Sequence, residues 1–221
     1  MIPHGRDIGT CAAGRLAPPC AASDFSVVSE DSDGIPLGQR MDDWCEGRAW
    51  HWRALILVLF VWQAVRCLQD PMGPNLFGGI NFGAHEFGHL FFSFGGEWLT
   101  VAGGSLMQLL VPIGAAAALA VTAQDWFGVA ACGTWLASSF ANLAPYIADA
   151  RAQDLDLLSF SEDGAGHDWH YLLAHAGRLK QDTAIARSVK FVSALVLVIS
   201  VLFALSLLLR MARSKKPAAM R

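Results

Sequence analysis

Long apolar runs separated by short polar segments dominate the chain after residue 50. A membrane-spanning helix needs about 20 mostly apolar residues. Five runs approach or exceed this length, at residues 52–68, 76–95, 99–122, 126–148 and 191–209. The pattern predicts an all-α integral membrane protein with about five transmembrane helices. The first run is the weakest, because it is short and carries Arg53, Gln63 and Arg66.

Three segments are polar by comparison. Residues 1–50 have too few apolar side chains to build a core and are predicted to be a disordered N-terminal tail, with Met41 as an alternative start. Residues 149–190 form a polar stretch inside the membrane domain (51–210), long enough for a short amphipathic helix on the membrane surface. Residues 211–221 form a basic tail, which favours a cytoplasmic C-terminus.

Composition points the same way. The chain is 54% hydrophobic and only 16% charged, whereas soluble domains carry about 25% charged residues. A net charge of −3 without a basic patch argues against a nucleic-acid partner. The five cysteines include no Cys-x-x-Cys pair, so neither a zinc ribbon nor a thioredoxin-like motif is indicated. We expect the lipid bilayer to be the environment, and the bacterial inner membrane to be the location.

The stretch NFGAHEFGHLFFSFGGEW, residues 81–98, carries candidate chemistry. His85 and His89 are four residues apart, so on a helix they share one face. Two imidazoles at this spacing suit zinc, and a catalytic zinc site needs a third protein ligand and an open position. Glu86 is placed to act as general acid/base on a metal-bound water. The alternative is that both histidines are core residues that hydrogen-bond between helices, but ionisable residues in membrane segments are usually functional.

A later segment, FANLAPYIADAR at residues 140–151, makes the chain resemble the site-2-protease family of intramembrane zinc metalloproteases. That family combines a His-Glu-x-x-His helix with an Asn-x-x-Pro segment followed by an Asp-Gly pair. Asn142, Pro145 and Asp149 take those places, with Ala150 where glycine is usual. The resemblance covers about residues 76–151 and implies a three-helix metalloprotease core.

The resemblance also implies roles for single residues. Zn²⁺ would be held by His85, His89 and Asp149, with Glu86 as the general acid/base. Asn142 would help to steady the scissile carbonyl.

The segment after the metal helix carries two further features of the family. Gly103, Gly104 and Ser105 lie where the family has a turn, and Gln108 stands where asparagine is usual. A strand-like edge in the family is thought to hold the substrate extended by strand addition. The β-prone residues Trp98–Val101 are expected to supply that edge.

The depth of Asp149 in the membrane poses a geometric difficulty. If His85 and His89 lie at mid-span, Asp149 lies deeper or shallower by about 10–15 Å at 1.5 Å per residue. Two arrangements would resolve it. Pro145 could unwind the helix and return Asp149 to the zinc, or the fourth span could start later than Trp126.

A second histidine group lies in the polar stretch, in GHDWHYLLAH. It comprises His167, Asp168, His170 and His175. These residues are expected to form an interfacial amphipathic helix, a surface metal site, the entrance to the active site, or a replacement for Asp149. Among them, His170 is the first choice as a replacement ligand.

These features together predict a zinc-dependent intramembrane endopeptidase that cleaves a transmembrane or membrane-adjacent segment of another protein. Substrate choice would depend on the helices, the polar stretch or an adaptor. One alternative is a non-catalytic membrane scaffold, consistent with the departures at Ala150 and Gln108. The other is a metal-ion transporter, although the chain lacks a row of intramembrane carboxylates for such a path.

Overall fold

The computed structural model describes residues 34–155 and 167–214, and these residues form α-helices and no strand. The helices all lie in the unit Leu37–Arg221. The prediction of an all-helical protein is therefore confirmed for the part of the chain described. The helices are α1 (Leu37–Cys45), α2 (His51–Gln69), α3 (Gly78–Phe91), α4 (Glu97–Ala118), α5 (Trp126–Ala148), α6 (Asp168–His175) and α7 (Asp182–Arg213).

Three helical stretches in the described residues are long and apolar enough to cross a membrane. They are His51–Gln69, Glu97–Ala123 and Leu179–Arg213, which correspond to α2, α4 with its π-helical extension, and α7 with a preceding 3₁₀ turn. The structure is thus compatible with a membrane protein. At 14 residues, α3 is only about 21 Å long, short of the roughly 30 Å hydrocarbon thickness.

Helix α5 lies antiparallel to α7, its most extensive packing partner. Residue numbers rise along α5 as they fall along α7. From one end to the other, Ala130 clusters with Ala204, the Ser193 hydroxyl donates to the Ala137 carbonyl (2.6 Å), and Ile147 clusters with Ala186. Helix α4 is also antiparallel to α5, since Leu119 contacts Gly128 and Gln108 donates to the Ser139 carbonyl.

The chain turns back between α2 and α3. Helix α2 ends at Gln69, yet the ring of Phe77, just before α3, stacks on Trp135 with centroids 5.2 Å apart and lies 5.8 Å from Phe60. Both partners lie near the middle of their helices, α5 and α2. Helix α3 therefore begins halfway along its neighbours instead of at their ends.

Side-chain amides support this returning segment. The side-chain oxygen of Asn75, Oδ1, accepts from Gln63 Nε2 (3.1 Å) and from the Phe77 backbone N–H (2.9 Å). One turn into α3, the side-chain oxygen of Asn81, Oδ1, accepts from Trp135 Nε1 (2.8 Å). Non-helical backbone at membrane depth needs such partners, because an unpaired polar group in apolar surroundings costs several kcal/mol.

Helices α3 and α4 form an antiparallel hairpin in which the two backbones touch. A β-carbon added at Gly88 would collide with the Gly103 carbonyl, and one added at Gly103 would collide with the Gly88 carbonyl oxygen. Small residues permit this close approach between membrane helices. The glycines that precede the turn and follow it thus bring the His-Glu-x-x-His face of α3 directly onto α4.

The expected strand edge at Trp98–Val101 is wrong, because these residues form the start of α4. Gly96 has φ +83°, which terminates the preceding turn, and the Thr100 N–H then bonds to the Gly96 carbonyl to begin the helix. A β-prone tetrapeptide has no neighbouring strand to pair with here, so its propensity is overridden.

The expected unwinding at Pro145 is also wrong. Helix α5 continues through Pro145 to Ala148. A proline removes one N–H donor from the ladder, and the helix resumes at once, since the Asp149 N–H bonds to the Pro145 carbonyl.

Part of the predicted N-terminal tail is helical. Trp44 and Cys45 of α1 are buried in a cluster with Leu207 and Met211 of α7. Together with Leu37 and Met41 they have the spacing of one helical face. This short amphipathic pattern indicates a helix, although residues 1–50 as a whole contain few apolar side chains. Residues 1–33 and the end of the basic tail, 215–221, lie outside the described residues.

Candidate metal centre

His85 and His89 share the face of α3 that packs on α4, as their four-residue spacing predicts. A β-carbon built on Gly104 of α4 would lie 2.5 Å from His89 Nε2 and 2.7 Å from His85 Nε2. Both imidazole nitrogens therefore point to one small space against the α4 backbone. Any larger residue at position 104 would fill that space.

Asp168 completes the cluster from α6. Its Oδ2 lies 3.0 Å from His85 Nε2 and 3.3 Å from His89 Nε2. Ligand atoms of the three residues all lie within 4.8 Å of one another. The side chains of His85, His89 and Asp168 are 14%, 25% and 11% exposed, so the cluster is largely enclosed while the histidines remain reachable.

The tautomer of His89 suits metal binding. Its Nδ1 lies 2.9 Å from the Thr100 carbonyl oxygen, and an acceptor at this place requires the proton on Nδ1. Nε2 is then left with its lone pair directed at the cluster. Metal-binding histidines are commonly fixed in this way by a carbonyl or carboxylate on the other ring nitrogen.

The cluster needs positive charge between its members. Burial raises the pKa of Asp168, but the adjacent imidazoles of His85 and His89 outweigh this effect and hold that pKa at about 2. An ionised carboxylate facing the lone pair of a neutral imidazole is repulsive, so either a proton on the imidazole or a cation must lie between them.

The geometry fits a small metal ion. Ligand atoms about 2.0–2.2 Å from a tetrahedral zinc lie about 3.3 Å from one another, close to the two nitrogen–oxygen distances here. Two imidazoles and a carboxylate also suit several other divalent metals. The residues that could hold a metal are thus His85, His89 and Asp168, and they leave its identity open.

Contacts on both sides of Asp168 position it. The Tyr146 hydroxyl accepts from the Asp168 backbone N–H (3.1 Å), and the indole N–H of Trp169 donates to the Ser105 hydroxyl of α4 (3.1 Å). Leu172 and Leu173 on the same helix are buried. Helix α6 is therefore docked on the α4–α5 side with its first residue at the metal cluster.

Asp149, the aspartate of the family-like segment, is not part of this cluster. Its carboxylate accepts from the backbone N–H groups of Asp154 (3.0 Å) and Leu155 (3.1 Å), and its Oδ2 lies 3.3 Å from His167 Nε2. His167 in turn caps α6 by accepting from the His170 N–H at Nδ1 (3.2 Å). In this structure Asp149 contacts the residue before Asp168, and Asp168 faces the histidines.

The depth difficulty has a structural answer. The rings of His85 and Tyr146 lie 6.1 Å apart, so His85 is level with a residue only three positions before Asp149, or about 5 Å along α5. The gap is smaller than expected because α3 begins halfway along α5.

His167 is a buried structural residue in this arrangement. Burial lowers its pKa, against the opposing effect of Asp149. Because its Nδ1 accepts from a backbone N–H, its proton must be on Nε2, which is thus not a lone-pair donor to a metal. His170 Nδ1 contacts the Ala150 carbonyl (2.8 Å), and His175 is exposed on the outer side of α6. Neither belongs to the metal cluster.

Asn142 forms hydrogen bonds with the side-chain amides that support the returning segment between α2 and α3. Its Oδ1 accepts from Asn75 (2.6 Å) and Asn81 (3.5 Å), and its Nδ2 donates to the Pro71 carbonyl (2.6 Å). Asn81 is one turn before His85 on the same face of α3. The position of Asn142 therefore supports the returning segment and the start of the metal helix.

Glu86 is half-buried next to the first histidine. It follows His85 directly on α3 and precedes His89 by three residues. Gln108 lies further along α4, where its Nε2 donates to the Ser139 carbonyl (3.4 Å) and holds α4 to α5.

Asp168 is the residue that sequence reasoning did not single out. Asp168 belongs to the second histidine group, in which the sequence favours His170 as the replacement ligand. The available signal was a carboxylate at the first position of a short amphipathic helix, which by itself does not point to a metal.

Comparison with known proteins adds no relative. A scan against protein-family models, a search of curated proteins and a search of solved structures each found no match.

Replacing Gly104 by alanine is expected to lower zinc affinity by at least about 10–100-fold, the loss that is usual when the surroundings of metal ligands are disturbed. The added methyl group would occupy the space between the two imidazole nitrogens. Zinc bound per chain, measured by elemental analysis across a chelator series, tests this. Gly114→Ala, on the same helix, is the matched control, since a β-carbon added at Gly114 meets nothing within 4 Å. Equal zinc retention by both variants would contradict the proposed cluster.

Proposed function

We propose that the protein is a zinc-dependent endopeptidase that cleaves a membrane-spanning or membrane-adjacent segment of another protein. The observation that carries this proposal is the convergence of His85, His89 and Asp168 beside Glu86. The resemblance to the site-2-protease family, seen in the His-Glu-x-x-His helix and the Asn142–Asp149 segment, supports the same activity.

Each residue has a role in the proposed reaction. His85, His89 and Asp168 would hold the metal. Bound zinc can lower the pKa of water to about 7 and polarise a carbonyl group. Glu86 would accept a proton from the attacking water on its carboxylate and deliver it to the nitrogen of the leaving amine. Peptide hydrolysis then balances, because one water molecule is added across the C–N bond.

The packing directions support a membrane arrangement for this enzyme. If α4 and α7 both cross the bilayer, α5 must cross as well, since it lies antiparallel to each and connects their opposite ends. With α2 this makes four crossings, and the short α3 would enter from the returning segment and reach one surface. The three-helix core would be α3, α4 and α5, with α6 closing the site at that surface.

This arrangement would put the start of α2 and the end of α7 on the same side. The ion pair between Asp42 of α1 and Arg210 of α7 lies on that side. The basic tail would then be cytoplasmic, with the metal centre near the opposite surface.

Chelation provides the direct test. Zinc-loaded protein in proteoliposomes is incubated with solubilised membrane proteins, and newly formed N-termini are labelled and sequenced by mass spectrometry. We expect new termini within or beside apolar segments, their loss with phenanthroline, and their return when zinc is added back. Zinc-bound protein that produces no new terminus would favour a scaffold instead.

A further inference from the structure

Tyr146 is a polar group at the metal centre that has no role in the reaction so far. Its hydroxyl oxygen accepts a hydrogen bond from the Asp168 backbone N–H, at 3.1 Å. Its ring faces His85 with centroids 6.1 Å apart, edge to face. The hydroxyl therefore lies beside one metal-binding residue, and the ring lies beside another.

Tyr146 is also surrounded by other groups of the site. Glu86 and Asp168 both act electrostatically on the Tyr146 hydroxyl. The ring is supported from behind by His167, with centroids 4.5 Å apart. The hydroxyl is thus held beside Asp168 by helix α5.

The hydrogen bond from Asp168 determines what the hydroxyl can do. A phenol has one O–H donor and two acceptor lone pairs. The backbone N–H of Asp168 occupies one lone pair, and the O–H proton faces the Asp168 carboxylate. A metal ion bound to that carboxylate would leave the O–H proton to serve a substrate. Accepting a hydrogen bond also strengthens a hydroxyl as a donor.

Peptide hydrolysis needs such a donor. When water adds to the scissile carbonyl, the carbonyl oxygen gains negative charge, and a preorganised donor aimed at that oxygen contributes about 10²–10³-fold to the rate. Two other donors near the site are already engaged, because Trp169 Nε1 donates to Ser105 and Asn142 Nδ2 donates to Pro71.

We propose that Tyr146 is a catalytic residue whose hydroxyl donates a hydrogen bond to the scissile carbonyl oxygen as that oxygen gains charge. The tyrosine keeps its proton throughout. This inference rests on the proposed function, and it adds the residue that stabilises the transition state.

The first test compares Tyr146→Phe with Tyr171→Phe at saturating zinc. Tyr171 is the other tyrosine of the chain and lies on α6. With a cleaved membrane-protein substrate, we expect Tyr146→Phe to lower kcat by about 10²–10³-fold with KM changed less than about threefold, and Tyr171→Phe to change neither. If Tyr146→Phe loses zinc, and excess zinc restores kcat, the hydroxyl only supports Asp168 and the inference is wrong.

The second test does not depend on turnover. Cobalt-loaded protein is titrated with a phosphinate peptide, whose tetrahedral oxyanion mimics the charged oxygen, and with a small thiol, which binds the metal but needs no oxyanion donor. Metal absorption bands report binding of each. We expect Tyr146→Phe to weaken phosphinate binding at least about tenfold and leave thiol binding unchanged.

The two tests separate the inference from the proposed function. Phosphinate and thiol binding that change equally, or not at all, would overturn the role of Tyr146. Wild-type protein that binds phosphinate through Tyr146 but cleaves no substrate would count against the endopeptidase function, while leaving the hydroxyl as an oxyanion donor at the metal centre.

Discussion

Replacing Glu86 by glutamine is expected to lower the rate of peptide cleavage by about 10²–10⁴-fold, the usual contribution of a general acid/base. Glutamine has nearly the same shape but cannot take a proton from water or deliver it to the leaving amine. Because Glu86 is not one of the clustered ligands, zinc content should stay at the wild-type level. Cleavage is measured by labelling new N-termini in proteoliposomes, and zinc by elemental analysis of the same samples.

Glu97→Gln is the matched control for this experiment. Glu97 is exposed in the first turn of α4 and is not one of the clustered ligands. It should therefore cleave and bind zinc like the wild type. If Glu86→Gln retained full cleavage with zinc bound, another base would have to serve the reaction. If Glu86→Gln lost zinc as well, a structural role for the carboxylate would explain the effect.

Removal of the Asp168 carboxylate is expected to have the largest effect on zinc binding. We expect Asp168→Ala to lose at least about 100-fold in zinc affinity, since even outer-shell changes cost 10–100-fold. The replacement deletes the oxygen that lies 3.0 and 3.3 Å from the two histidine nitrogens. Isothermal titration with zinc after chelator treatment gives the affinity, and helix content by circular dichroism confirms the fold.

Asp149→Asn and His170→Ala provide the comparison. Asparagine at 149 keeps one side-chain oxygen, which can still accept from the backbone N–H of Asp154 or Leu155. Because only one hydrogen bond is lost, α6 should stay docked and zinc affinity should fall less than about tenfold. His170→Ala should retain zinc. The opposite result, zinc lost with Asp149 and kept without Asp168, would restore the ligand set that the family resemblance implies. Zinc lost with His170 would move the third ligand to that residue.

These outcomes also bear on the departures from the family pattern. Ala150 is fully buried beside Leu143, Ile147 and Leu173, where it packs α5 against α6. Packing of this kind favours docking of α6 and the presentation of Asp168. If Asp168 is the third ligand, its position is thus connected with the part of the motif in which the chain differs from the family pattern.

Local periodicity accounts for what could be predicted well. The helical nature of the described residues after position 50 follows from the length of their apolar runs. The shared face of His85 and His89 follows from 3.6 residues per turn. Both properties depend only on neighbours within about one helical turn. They do not depend on how the helices pack.

Local patterns misled where packing overrides propensity. Trp98–Val101 are β-prone but continue a long apolar helix that has no strand partner. Pro145 has the residue type that breaks helices, yet α5 carries it with helical turns on both sides. In both cases the surrounding helix decided the conformation.

Local sequence pattern is enough to specify apolar helices, one of which carries two imidazoles at metal-binding spacing with a carboxylate beside the first. The tertiary structure alone decided where α3 begins, that Gly104 leaves room for the imidazoles, and that Asp168 rather than Asp149 faces them. Asp149 and Asp168 are both aspartates in the polar stretch 149–190, so no local sequence pattern distinguishes them. The choice depends on long-range contacts, namely the Trp169–Ser105 and Tyr146–Asp168 hydrogen bonds that dock α6 on α4 and α5.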